Sequence, residues 1–268
     1  MHELIELAAS CLQERDPARK VTCTREVAAL FRQRGSGAAS PVRACTQSPG
    51  RPEQPSLVHF TRLAQRRLTT AMGRAAFLHA LAHIEFNAIN LAWDAVCRFP
   101  GLPGQYYLDW SRVAGEEACH FTLLVERLRE AGHEYGDFPA HDGLWEMAEK
   151  TAHDPLVRMA LVPRVLEARG LDVTPGMLGR LEAVGDAGSV RVLRRILDDE
   201  IGHVRIGSRW FEYLCEQRGL DPAQTFGQLL AAYGMQRIRP PLNLPARRQA
   251  GFAQHELDLL SQLAGTQA

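Results

Sequence analysis

The chain has 268 residues, of which 46% are hydrophobic and 23% charged, ordinary globular usage that excludes a disordered chain. Its 31 basic and 31 acidic residues cancel, so no global charge argues for nucleic acid, a membrane surface or a strongly acidic partner. Charges begin at Glu3 where a leader peptide would be apolar, and no stretch reaches the ~18 apolar residues of a membrane span.

Residues 2–34 read as two short helices broken near Pro17, an N-terminal helical extension (1–34). Residues 35–56, rich in Gly, Ser and Pro, read as a linker or an arm wrapping the body. A helical body is expected over 57–235. Its first long helix, about 61–98, puts Leu78, Leu81, Ala82, Glu85, Ile89, Ala92, Trp93 and Val96 on one face. The second, about 106–131, aligns Trp110, Val113, Ala114, Glu117, His120, Phe121 and Leu124. The segment "GHEYGDFPAHDG" then has the reach, at ~3.3 Å per residue, for a crossover along a bundle.

A third helix over about 143–169 aligns Leu156, Ala160, Pro163 and Glu167, with Pro155 and Pro163 bending it. "GLDVTPG" is expected to end it before a short helix at 176–185. The fourth, about 188–218, aligns Leu193, Ile196, Leu197, Glu200, His203, Val204, Phe211 and Leu214, and a short helix comes next at 222–234. Residues 236–268 form a C-terminal tail whose "RIRPPLNLPARR" run its prolines keep out of regular helix. Nothing alternates like a strand. The fold class is all-α, a four-helix bundle with a long crossover between the second and third helices.

Each long helix carries a glutamate on its apolar stripe, in the order Glu85, Glu117-x-x-His120, Glu167, Glu200-x-x-His203. Residues three apart lie on one helix face, so a carboxylate and an imidazole at that spacing can reach one ion. Two such pairs plus two further carboxylates would give two metal ions a shared N/O shell, and the metals would offset carboxylates that otherwise repel in an apolar core. The pattern is also duplicated. At an offset of 83 residues, "RVAGEEACHF" (112–121) lies over "RILDDEIGHV" (195–204), with Arg, Glu and His identical.

The bland reading is a pair of surface ion pairs. Ten histidines and nineteen glutamates predict about 0.7 Glu-x-x-His by chance, whereas three occur. The third, Glu130–His133, falls at a helix end and reads as surface. Two on apolar faces at a repeat offset favour ligands. His79 and His83 are rotated away from Glu85 and read as packing or surface groups, and His153 lies ~21 Å along the axis from Glu167. The six scattered cysteines, with no CxxC, read as reduced core thiols of a cytoplasmic protein, Cys119 among them. For Arg237, Arg239, Arg247 and Arg248 a solvated arm is the default and a clamp for an anionic substrate the alternative.

The ligand order resembles the ferritin-like superfamily of dinuclear carboxylate proteins, and "ILDDEIGHV" (196–204) is similar to the last ligand helix of bacterioferritins. The stretches "AHIEFNAINLAWDAVCRF" and "DFPAHDGLWEMAEKTAHDPLVRMALVPRVLEARGLDVTPGM" resemble an uncharacterised bacterial ferritin-like family whose name records only a domain of unknown function. A more distant architectural resemblance is to the tRNA-modifying non-haem di-iron monooxygenase. The resemblance implies a ferritin-like bundle over 57–235 holding two metal ions, iron first and Mn/Fe second, on Glu85, Glu117, His120, Glu167, Glu200 and His203. It further implies that Asp199 orients His120, that Glu116 orients His203, and that Gly202 serves a close helix approach.

Three functions are expected in turn. The first is O2-dependent oxidation or hydroxylation of a small or nucleotide-like substrate, with an external electron donor. The second is ferroxidase, peroxidase or iron-handling activity without an organic substrate. The third is a non-catalytic bundle or partner-binding protein. A small-molecule substrate, no membrane and no nucleic acid are expected as partners, with a homo-oligomer left open.

Overall fold

A computed structural model describes residues 1–35, 48–63 and 67–265. Its regular elements are helical, and no strand occurs among the described residues beyond one isolated bridge, Leu57 with Ala140. No helix among the described residues is long and apolar enough to cross a membrane. Most of the expected arm, 36–47, lies outside the described residues, as does Cys45. The chain divides into two compact units, Met1–Glu146 with Asp186–Val192, and Met147–Gly185 with Leu193–Ala268.

The first unit contains α1 (His2–Gln13), α2 (Pro17–Arg34), α3 (Ala71–Arg98) and α4 (Gly104–Glu130). Asp16 caps α2 by accepting from the Arg19 N–H, with Pro17 pre-set for the first turn. Thr70 caps α3 through the Gly73 N–H, so that helix starts at Ala71 and not near Thr61, and Phe60–Arg62 is a separate 3-10 turn. The expected single apolar face of α3 is also too narrow. From Glu85 to Cys97 every residue is buried, polar Asn87, Asn90 and Asp94 included.

The cause is packing of the N-terminal helices on α3. Lys20 Nζ donates to Asn90 Oδ1 at 2.5 Å and to the Leu12 carbonyl at 2.8 Å, and Trp93 Nε1 donates to Thr24 Oγ1 at 2.9 Å. Such bonds satisfy polar groups that burial alone would penalise. The 131–142 segment is pinned. Its Tyr135 stacks on His79 with ring centroids 5.4 Å apart, and Ala140 exchanges backbone bonds with Ser56 and Val58 at 3.1 and 2.8 Å.

The second unit contains α6 (Pro155–Leu161), α7 (Ala168–Ala183), α9 (Pro222–Ala232), α10 (Leu244–Gln249) and α11 (Gln254–Gly265). Two helices run across the division between units, α5 (Gly143–Lys150) and α8 (Ala187–Gln217). The expected third helix over 143–169 is broken at 151–154, where Asp154 accepts from the Leu156 N–H and starts α6 with Pro155 in its first turn. Between α6 and α7 lies a π-helical turn, Val162–Glu167. Pro163 has no N–H to return to the carbonyl four residues earlier, which loosens the ladder there.

The helix then runs through "GLDVTPG" where the sequence predicts a stop. Pro175 frees the carbonyl of Leu171, and the Asn243 side-chain amide donates to that oxygen at 3.1 Å. A tertiary bond thus replaces the helical one that proline removes. The tail is likewise less irregular than its prolines suggest. Pro245 sits in the first turn of α10, where the missing N–H is harmless, with Asn243 as its cap.

Candidate metal centre

α3 and α4 bring three expected ligands together. Glu85 is 5% exposed, and Glu117 and His120 are 1% exposed. His120 Nδ1 lies 3.1 Å from Glu117 Oε2 and 3.5 Å from Glu85 Oε2. Each of the three offers a ligand atom, all within 4.8 Å of one another, so the cluster could hold a metal ion. Glu85 Oε2 is buried with no hydrogen-bond partner among the described residues. Burial, and secondarily the neighbouring Glu117 charge, holds the Glu85 carboxyl well above the usual carboxylate range. Two carboxylates and an imidazole nitrogen converging where all three side chains are buried are an unfavourable set without a cation and a suitable N/O donor set with one.

The rings of Phe86 and Phe121 lie next to these ligands in sequence, with centroids 5.6 Å apart, and Tyr135 packs on both. The three rings form one aromatic cluster. His83 packs on Tyr135 of the same cluster and is not among the converging groups. Asn87 Nδ2 donates to its Nε2 at 3.0 Å and to its carbonyl at 3.2 Å, which leaves Nδ1 to donate to the Tyr135 hydroxyl at 2.9 Å. His79 is fully buried and accepts from the Gly136 N–H at 3.0 Å. Both are packing groups, as their rotation from Glu85 implies.

In the second unit, α8 repeats the motif. His203 is fully buried with Nδ1 3.5 Å from Glu200 Oε1. Glu167 is the last residue of the π turn. The wider turn rotates the residues beyond it relative to a regular helix, so the face drawn through Leu156, Ala160 and Pro163 does not extend to Glu167 by simple periodicity. Single π turns inside α-helices are frequent at functional sites.

The 83-residue repeat reappears as matching side-chain pairs. Arg112 Nε donates to Glu116 Oε1 at 2.9 Å, and Arg195 Nε donates to Asp199 Oδ2 at 2.7 Å. Both arginines are identical positions of the repeat, a signal the sequence already carried without an assigned role. Gly202 serves no close approach, since a Cβ there would meet nothing within 4 Å among the described residues. The close approach is at Gly207, one turn further along α8. A Cβ there would sit 2.4 Å from the Pro163 ring carbons.

The remaining candidates fall outside the ligand set. Glu130 is an exposed partner of Arg127, and His133 pairs with Asp137 at 3.4 Å, a surface role. His153 lies 3.4 Å from the Tyr233 hydroxyl. Cys119 is exposed and not a core thiol, whereas Cys11, Cys97 and Cys215 are buried. Its position between Glu117 and His120 turns it about 100° off the buried face. Arg247 is buried and not part of a solvated arm, with its fork on Asp172 at 2.9 and 2.7 Å.

Residues 13–258 match the family described as "Protein of unknown function (DUF455)". A protein of Haemophilus influenzae described as uncharacterized is 50% identical over 223 residues, covering 80% of this chain and 77% of the relative. No solved structure matches the chain. A family match over nearly the whole length, supported by a relative of this identity, shows that the chain belongs to the DUF455 family.

Proposed function

We propose that this protein is a ferritin-like dinuclear metalloprotein and an O2-dependent oxidoreductase acting on a small or nucleotide-like substrate. Glu85, Glu117, His120, Glu167, Glu200 and His203 would hold two metal ions, with Asp199 and Glu116 orienting His120 and His203. The carrying observation is the buried Glu85–Glu117–His120 cluster, with a matching Glu200–His203 pair at the repeat offset. N/O donors suit iron or manganese, and a non-haem iron pair supplies oxygen-dependent oxidation when bound.

The residues of this chain have separable tasks in that reading. Glu85 and Glu117 supply carboxylate oxygens in a buried setting, and a cation there would favour the ionised form of both and offset their repulsion. His120 turns Nδ1 to both carboxylates, the ring nitrogen that would ligate. The π turn places Glu167 where the backbone is least regular, and a ligand there can shift at small cost. Electrons would come from an external donor.

Elemental analysis of the purified full-length chain tests this reading. Two equivalents of iron, or of manganese and iron, are expected, falling well below that in Glu117→Ala. Reductant-dependent O2 uptake that rises with an organic substrate supports the oxidase, whereas turnover of Fe(II) to a ferric mineral points to iron handling. Metal-free protein, with Glu117→Ala indistinguishable from the parent in metal uptake, refutes the centre.

A further inference from the structure

The second unit holds a cavity of about 280 Å³ beside the π turn, near the lower end of the size range of small-molecule sites. Five arginines line it: Arg164, Arg169, Arg237, Arg239 and Arg247. The only acidic lining residue among those described is Asp172, already engaged by the Arg247 fork. Arg169 donates to the carbonyls of Arg239, Pro240 and Pro241 at 2.6, 3.3 and 2.9 Å and so fixes the tail as one wall. Val165, Leu166, Met235, Ile238 and Leu260 make the remaining surface apolar.

Two of the arginines are incompletely satisfied. Arg164 is 1% exposed and Arg247 is 3% exposed. Arg164 gives Nη2 to Glu256 at 2.7 Å and Nε to Ser208 at 3.3 Å, among the rings of Phe211, Phe226 and Phe252. Yet Nη1 of Arg164 and Nη1 of Arg247 are both buried with no hydrogen-bond partner among the described residues. Guanidinium donors left without acceptors in a dry site are costly, and a ligand oxyanion removes that cost. The rings hold both guanidinium planes but offer no oxygen acceptor, and both residues line the one cavity.

We propose that this cavity binds a small organic anion, a carboxylate or phosphate head on a short apolar body. The head takes the spare guanidinium donors, the apolar wall takes the body, and Arg237 and Arg239 at the rim attract the charge. Arg164, Val165 and Leu166 belong to the turn that ends in Glu167, so the ligand packs against the segment carrying that carboxylate. The binding site stands on these observations and not on the metal reading.

Isothermal titration of the full-length chain with hexanoate, hexyl phosphate and hexan-1-ol tests it. Saturable binding of at least one of the two anions is expected, weakening with salt. The better-bound head identifies the class. Hexan-1-ol should bind at least about tenfold more weakly, since a charged hydrogen bond is worth ~1.5–3 kcal/mol. Arg247→Lys keeps the charge and loses the fork, and should weaken the anion about tenfold or more. Should that variant lose its thermal transition, Arg237→Gln with Arg239→Gln, both solvent-exposed, is read instead, with weakening of the same sign expected. Saturation by neither anion, equal binding of hexan-1-ol, or unchanged affinity in the folded variant overturns the proposal. Glu117→Ala should leave anion affinity unchanged, which separates this test from that of the metal centre.

Discussion

Two glycines of α8, five residues apart, respond oppositely to alanine on this structure. Replacing Gly207 puts a Cβ 2.4 Å from two ring carbons of Pro163, a distance no pair of carbons sustains. The ring is rigid, and the π turn must move or α8 must tilt. Overpacking of this kind costs ~1–3 kcal/mol. The gain in helix propensity on losing glycine is ~1 kcal/mol and does not cover the upper part of that range. At Gly202 a new Cβ meets nothing within 4 Å, so only the gain remains. The two variants should therefore differ by ~1–3 kcal/mol, with Gly202→Ala the more stable. A difference of ~2 kcal/mol separates their Tm values by roughly 4–8 °C at this chain length. Differential scanning calorimetry of both, beside the parent, reads it directly. Equal Tm values, or Gly207→Ala the more stable, would refute the packing of Pro163 against α8.

Three further outcomes are expected. Burial first, and then the nearby His79, hold His83 at about 3 against its ordinary 6.5. The unfolded chain takes up that proton between pH 6.5 and 3 while the folded chain does not, so stability present above pH 6.5 is lost as pH falls through this window. His83→Gln should flatten acid unfolding there, and urea midpoints that fall equally in both proteins between about pH 6.5 and 4 contradict the assignment. Asp172→Asn strands the buried Arg247 guanidinium and should cost ~3–5 kcal/mol in urea unfolding, with a loss under about 1 kcal/mol counting against the pair. Asn243→Ala removes both the α10 cap and the donor to the Leu171 carbonyl, for ~2 kcal/mol. Hydrogen exchange should then rise around Leu171–Pro175, and protection equal to the parent's would show that the helix tolerates Pro175 unaided.

Much of the helical plan was legible because burial writes a 3.6-residue period into sequence. Residues 104–130, 187–217 and 222–232 form helices within two residues of the expected bounds, and the break near Pro17 is real. The proximity of each Glu-x-x-His pair was legible for a related reason: a carboxylate and an imidazole three apart share one helix face, and that spacing is local. The repeat was legible down to its arginines, whose partners in both copies are the acids four residues later.

A distant group decides the features that the sequence left open. Local rules end a helix at "GLDVTPG", but Asn243, more than seventy residues on, takes the carbonyl that Pro175 frees. Periodicity marks one face of α3, but α1 and α2 bury the other. The arginines of the tail read as solvated until Asp172 takes Arg247 inward, where one of its donors is buried without an acceptor among the described residues. Pro163 announced a bend, and only the space over Gly207 shows where its ring goes. Propensity and spacing act over one or two helical turns and so can be read from the chain. Satisfaction of buried polar groups depends on which residues meet in space, and that the tertiary structure alone decides.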